Sequence, residues 1–511
     1  MTTNAPNFEE FSLASFLKQL DASNFSVEDQ PQYLSDIASE LEGNPKAVLF
    51  NHIHDSPYPL CGNVAASRER IAKAFNTSKE NLLFEVAARL KKTGELIQVD
   101  SHQAPVHEVI QKGDECDFTQ LPIHLQHGLD GAPYISSSMD VVMDPNTGWT
   151  NVGIRRLMVT GRRKAGVDLV APSDLRAIYI EQSKKGNRVP VSFVIGSSPV
   201  DHVAATMRIP TDELKLLSAL RGKPLGVVKC ITNDLWVPAD AQMILEGYLD
   251  EHGHSTEEGP YGEFLGYYGG VKKNPVFHLT AITHRKDCIF QTSTISGAEM
   301  SKTDTAQLSA LRTEVVVYRA LEIAVREVKG VYADPASGGT FNVRVALKQR
   351  VPGEAKSAIA AVFACMANVK HVYIVDPDID IFSSEQMEWA MATRFQADKD
   401  MIFATGFRAM PLDPSLQEAK TTAKLGFDLT LPFQFGDDAR GMTYRVPKAP
   451  TYSGDKFDSI EAALQDGPKF FQELMGAISS KDGREVIRWL EDHYQSQHIA
   501  RDKEGKYFIQ Q

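Results

Sequence analysis

Glu258 and Glu263 flank Gly259-Pro260-Tyr261-Gly262 in the stretch EEGPYGEFLGYY at 257–268. Two glycines and a proline in so short a span exclude a helix, so the segment reads as a tight loop holding two acids near each other. Such a pair does proton-transfer work when burial or a neighbouring cation separates its pKa values. Arg155 and Arg156, at the end of the β-like segment Trp149-Thr150-Asn151-Val152-Gly153-Ile154-Arg155-Arg156, offer that cation. Spacing alone is equally compatible with a charged turn between strands, because isolated loop acids are usually solvated.

The chain must supply a frame for these residues, and 511 residues at 42% hydrophobic and 23% charged provide two to four domains with ample core. The net charge of -12 disfavours broad binding to nucleic acid or anionic membrane. Five scattered cysteines with no C-x-x-C, and a first segment with no basic, apolar leader pattern, fit reduced packing thiols in a cytoplasmic protein. No apolar run approaches a membrane span.

The N-terminal part reads as α/β: a helix over 11–20, a buried strand at 47–50 and a helix over 80–92 capped by Ser78. His52 and His54, and His124 and His127, lack a third ligand at useful spacing and are assigned no chemistry. From Ser136 the texture is β-rich, with a hairpin turn at Asp-Pro-Asn-Thr-Gly (144–148) and strands near 191–195, 225–230, 243–249, 276–283 and 288–292. That pattern predicts a mostly antiparallel sheet or barrel, with a short helix over 173–183. A long helix over 305–328 leads into a βαβ-like layer: strand 341–347, helix 354–366, strand 372–375 and helix 384–394. Two helices broken at Lys481-Asp482-Gly483 are expected within 459–497, their apolar stripes suited to another subunit.

Five blocks, in order, resemble the UbiD family of reversible decarboxylases, which includes ferulic acid decarboxylases and 4-hydroxybenzoate-type enzymes. They are TNVGIRR (150–156), TNDLWVPADAQMILEG (232–247), EGPYGEFLGYY (258–268), DPDIDIF with WAMATR (376–394) and AKLGFDLT (423–430). The likeness runs from about Pro105 to Arg394 and more loosely to Pro432, with only general layout shared before and after.

The resemblance implies an α/β (α+β) chain with a flavin-reductase-like split β-barrel at its centre. It divides the chain into an N-terminal α/β domain (1–125), a barrel domain that binds prenylated FMN (126–305) and a linking helix (306–330), followed by a C-terminal α/β domain (331–455) and a helical tail for oligomerisation (456–511). It implies non-oxidative decarboxylation of an aromatic, heteroaromatic or α,β-unsaturated acid. The cofactor would come from a UbiX-type flavin prenyltransferase, and the chain would act as a homodimer or larger homo-oligomer. The family's catalytic set falls on Arg156, Glu258 and Glu263, with Glu263 delivering the proton to carbon.

Cofactor-binding positions fall on Asn151, Gly153, Ile154, Arg156, Ser173, Ala205, Met207, Glu213 and Lys424. A divalent Mn²⁺ or Mg²⁺ falls on Asn151, Asp174 and Glu213, where Asp174 stands in place of the family's histidine, and K⁺ on carbonyls from Ala204 to Met207. Val170, Ser173, Phe264, Gln307 and Phe427 are the expected substrate lining, and Arg312 reads as a helix-surface arginine. Two other readings stay open: a non-catalytic subunit of a carboxylase complex, and an ordinary FMN reductase on the same barrel.

Overall fold

The turn at 144–148 joins the two strands on which the candidate site is built. In the computed structural model, which describes residues 6–434, 441–496 and 498–510, the Gly148 N–H donates to the Asp144 carbonyl at 2.8 Å. Gly148 adopts φ +70°, a conformation in which any Cβ is strained. The ends of the first and last expected domains, the middle of the 331–455 range and Gln497 of the tail lie outside the described residues.

The strands so joined are β1 (Tyr134–Met143) and β2 (Thr150–Gly161), followed by β3 (Lys164–Val167), β4 (Val189–Ile195), β5 (Met243–Leu249) and β6 (Val276–His284). They run in the order β5-β4-β1-β2-β3-β6, and β6 pairs back onto β5, so six antiparallel strands close into a barrel. Closure leaves no unpaired edge among them. The two-residue period sorts the side chains. Val191, Phe193 and Ile195 of β4 and Met243, Leu245 and Leu249 of β5 share one core cluster. Val194 and Ile244 belong to another, into which helices pack.

Four helices flank the site: α1 (Asp174–Lys184), α2 (Pro199–Thr206), α3 (Glu213–Arg221) and α4 (Asp304–Ala324). Each begins at a side-chain cap, from Ser173, Ser198, Asp212 and Thr303 respectively. Buried Asp304 at the start of α4 accepts the Ala65 N–H at 2.6 Å and the Thr294 N–H at 2.8 Å. Further along, buried Glu314 accepts two bonds from Arg68 Nη1, at 2.8 and 2.9 Å. These contacts tie the N-terminal segment and the barrel's exit to one rigid helix. The expected helix to 328 stops at Ala324, because Val325 turns to extended backbone (φ -138°, ψ 164°) and leads into a strand.

Two strands expected in the central sheet pair elsewhere. Leu225–Lys229 forms a three-stranded sheet with Trp236–Pro238 and, in parallel, Leu96–Gln98. Phe290–Gln291 pairs in parallel with Leu60–Gly62 of the N-terminal sheet. Beyond α4 the expected parallel layer is present: Asn342–Leu347, His371–Val375 and Thr421–Leu429 run parallel, with Val328–Ala333 and Met401–Arg408 as antiparallel edges. Residues 431–511 form a second compact unit with three α-helices among its described residues (Ile460–Asp466, Phe471–Ala477, Arg484–Gln495), one more than the sequence suggests, since Gly467 at φ +149° interrupts the first. Among the described residues no helix is long and apolar enough to cross a membrane.

Candidate active site

One strand carries both ends of the site. Asn151 and Arg156 are five residues apart on β2, roughly 16 Å at a rise of about 3.3 Å per residue. At the far end, Arg156 Nε donates to Glu258 Oε1 at 2.9 Å and its Nη1 to Glu263 Oε2 at 3.1 Å. Its Nη2 lies 3.1 Å from Asp168 Oδ2, and the guanidinium rests 4.4 Å from the centre of the buried Tyr261 ring. Burial works against the Arg156 charge, but Asp168, Glu263 and Glu258 more than offset it and hold the group firmly protonated.

The acidic loop folds as two short hairpins. Thr256–Glu258 pairs with Lys272–Asn274, placing Glu258 opposite Lys272, and Tyr261–Gly262 pairs with Tyr268–Gly269. Lys272 Nζ reaches Glu263 Oε1 at 3.4 Å, and Asn274 donates to Glu258 Oε2 at 3.3 Å. The structure thus brings Arg156, Glu258 and Glu263 together. It adds Asp168, Lys272 and Asn274, which sequence reasoning missed because no local pattern marks a residue that a strand partner delivers.

At the near end, Asn151 Nδ2 donates to Glu213 Oε2 at 2.7 Å and lies 3.5 Å from Asp174 Oδ2, while the Val152 N–H reaches Glu213 at 2.5 Å. Burial pushes the Glu213 carboxyl up to about 8; the Val152 N–H opposes this, and Asp174, Asp140 and Asp212 add to it. Two crowded carboxylates beside an amide suit a hard divalent cation, with the amide turned to present its oxygen. Among the described residues no group of three or more His, Cys, Asp or Glu is arranged for a metal, so this set stands on two acids and one amide. The Ala204 carbonyl accepts the Met207 N–H at 3.0 Å at the C-terminus of α2.

From the Asn151, Asp174 and Glu213 end a cavity of about 240 Å³ runs along β2 as far as Arg155, its walls including Gly153, Ile154, Ser173, Ala205 and Met207. A second, of about 370 Å³, is walled by His124, Gln126, His127 and Thr292 and shares Ser293 with the first. Gln126 accepts the Tyr261 hydroxyl at 2.7 Å, which links the second cavity to the ring beneath Arg156.

Several expected residues lie away from both cavity walls. Lys424 sits in the C-terminal sheet, its Nζ donating to the Phe363 carbonyl at 2.9 Å. Phe427 stacks on Tyr373, Gln307 donates to the Ser301 carbonyl, Phe264 backs Gly338, and Val170 is exposed. Ser173 lines the first cavity while its hydroxyl caps α1. Arg312, expected on a helix surface, is half-buried in the wall of the first cavity. His54 stacks on Tyr33, and the cysteines are free thiols, four of them buried.

An antiparallel barrel between α/β domains, carrying an arginine clamped by two glutamates, matches what the sequence resemblance implies for a carboxy-lyase. Family models match the chain in three consecutive pieces: the 3-octaprenyl-4-hydroxybenzoate carboxy-lyase N-terminal domain (31–90), Rift-related domain (97–299) and C-terminal domain (306–429). The chain belongs to the UbiD family of decarboxylases. The match over 31–90 extends the likeness into the N-terminal segment, where the sequence showed layout alone.

Anhydromevalonate phosphate decarboxylase of Methanosarcina mazei is 34% identical over 397 residues, covering 78% of this chain and 89% of that protein. The UbiD-class enzyme HmfF from Pelotomaculum thermopropionicum, in complex with FMN, superposes with a TM-score of 0.80 at 31% identity, over 86% of this chain and 97% of HmfF. An evolved dimeric form of HmfF in complex with prFMN gives 0.75 at 30% identity, over 84% and 97%.

Proposed function

We propose that the chain catalyses reversible, non-oxidative decarboxylation of an aromatic, heteroaromatic or α,β-unsaturated carboxylic acid with prenylated FMN, and that Glu263 is the proton donor. The observation that carries this reading is the single guanidinium of Arg156 held between Glu258 and Glu263 over the buried Tyr261 ring. Prenylated FMN, when bound, supplies the electron sink that no side chain offers. The flavins in the HmfF structures support that choice, with a UbiX-type prenyltransferase as supplier.

Arg156 and Glu258 orient the substrate carboxylate, and the burial of these two side chains keeps water from stabilising it. The bond to that carboxylate breaks, CO₂ leaves, and Glu263 gives its proton to the carbon that held it. Asn151, Asp174 and Glu213 would hold Mn²⁺ or Mg²⁺, and the Ala204 and Met207 carbonyls K⁺, fixing the cofactor's far end. The protein would work in the cytoplasm as a homodimer or larger assembly.

The test is CO₂ release and deuterium incorporation in D₂O by protein co-expressed with a flavin prenyltransferase. The acid panel includes aromatic acids, acrylic acids and a phosphorylated non-aromatic acid, since the M. mazei relative is named for anhydromevalonate phosphate. Turnover of one acid, lost by about a hundredfold or more in Glu263→Gln, is the expected result. A folded protein carrying no prenylated flavin would overturn the reading.

A further inference from the structure

Thr305, Leu308, Ser309 and Arg312 recur along α4 at the spacing of one helix face, and all four line the first cavity. Arg312 differs from the arginines that the protein holds in ion pairs. Arg68, Arg156 and Arg221 are each fixed by carboxylates, whereas Arg312 makes no hydrogen bond or ion pair with any described residue. Arg208, next to Met207, lines the same cavity, and its side chain's only bond among the described residues is a 3.5 Å contact to the Pro172 carbonyl. Among the described residues the Arg408 side chain donates only to the Met366 carbonyl and the Asn368 amide oxygen. Burial, with Arg208 and Arg408 adding repulsion, lowers Arg312 to about 10, which still leaves it charged at neutral pH. Asp174 and Glu213 line the same cavity, but among the described residues neither bonds Arg312 or Arg208, so both guanidiniums keep donors free for an anion bound there.

The location selects which anion. Arg208 reaches the backbone just before Ser173, so the arginines sit at the Asn151, Asp174 and Glu213 end of the cavity. That end is roughly 16 Å along β2 from Arg156, where a substrate carboxylate binds. A small acid anchored at Arg156 does not reach it, whereas an elongated ligand with a ring at one end and a dianion at the other does. A divalent cation on Asp174 and Glu213 is neutralised by those two carboxylates and K⁺ would add a single charge, so a phosphate dianion is left at most half compensated. We propose, resting on the flavin reading above, that Arg312 and Arg208 bind the phosphate of the flavin mononucleotide, with Arg408 adding a third positive charge behind them.

The experiment uses the full chain made without a prenyltransferase and compares plain FMN with riboflavin, which differs by the phosphate. Dissociation constants are read by flavin fluorescence, once in EDTA and once with Mn²⁺. Wild type should prefer FMN in EDTA, and Arg312→Met should narrow that preference about tenfold while riboflavin binding stays put. Arg312→Lys should recover part of the loss, and the exposed Arg208→Met provides the same readout should Arg312→Met not fold. An unchanged preference in Arg312→Met and Arg208→Met overturns the assignment. So does a variant that keeps FMN but loses a phosphorylated acid, since that would give the arginines to the substrate. Folded wild type that binds neither flavin overturns the flavin reading and this assignment with it, a result distinct from either of the others.

Discussion

Lys272 holds one oxygen of Glu263 and Arg156 holds the other, Nζ to Oε1 at 3.4 Å and Nη1 to Oε2 at 3.1 Å. The hairpin that pairs Lys272 with Glu258 therefore presents a cation to the second acid as well. A carboxylate gripped at both oxygens has one orientation, which matters for delivering a proton to a fixed carbon. Lys272 is partly solvated, so screening limits its contribution. Lys272→Met should lower kcat about three- to tenfold with a smaller change in KM, and Lys272→Arg should keep most activity. Steady-state CO₂ release decides it; an unchanged kcat in Lys272→Met would make the lysine a bystander.

The charge around Arg156 leads to a second expectation. Asp168, Glu258 and Glu263 place three carboxylates around two cations, Arg156 and Lys272. A substrate carboxylate entering that group adds another negative charge in a poorly solvated place. Binding should therefore take up about one proton, and affinity should fall as pH rises. Calorimetric titration of the Glu263-competent holoenzyme in buffers of different ionisation enthalpy measures the uptake directly. Binding enthalpies that do not depend on the buffer would show that substrate enters without a proton.

The parts of this molecule that follow one strand or one loop were legible in its sequence. The alternation on β4 and β5, the turn closed by Gly148, the helix at α4 and the juxtaposed glutamates all depend on residues near in the chain. The barrel's closure by β5 and β6 and the diversion of Leu225–Lys229 to another sheet depend on partners far away, and apolar runs do not specify partners. Arg312 was misread for a related reason. Helical periodicity shows which residues share a face, but whether that face meets solvent or a cavity depends on what packs over it. Lys272 and Asp168 look like ordinary surface charges until β-pairing and the return of the chain after β3 bring them to Arg156.

Gly269 supplies the room in which Glu263 stands. A Cβ built there would lie 2.7 Å from Glu263 Oε1 and 3.1 Å from its Cγ, so alanine and the carboxylate cannot both keep their places. The glutamate is the softer of the two, because it moves by side-chain rotation while Gly269 is held in the pairing with Tyr261. Gly269→Ala should therefore cost kcat about ten- to a hundredfold, since a displacement of an ångström at the reacting group has effects of that size. The melting temperature should change little. A large loss of stability with activity per folded molecule preserved would show that the backbone yields instead.

His124 gives the fold a dependence on acid. It is 4% exposed, its Nδ1–H donates to the Leu125 carbonyl, and its Nε2 lies 3.0 Å from the Thr292 hydroxyl, a partner that satisfies a neutral ring. Burial lowers its pKa to about 4; the bond to Leu125 and Asp130 opposes this, and His127 reinforces it. An unfolded histidine takes up its proton near pH 6.5, so between about 6.5 and 4 the unfolded chain binds more protons than the folded one. Stability is therefore full above that window and is lost as pH falls through it, by on the order of 3 kcal/mol from this residue. His107, His202, His284 and His371 are lowered by burial too, so the wild-type slope alone does not isolate His124. The difference between wild type and His124→Gln does. Thermal midpoints from pH 7.5 down to 4.5 should converge as the pH falls, the variant losing less than wild type. Parallel curves would mean that the buried ring is not what acid attacks.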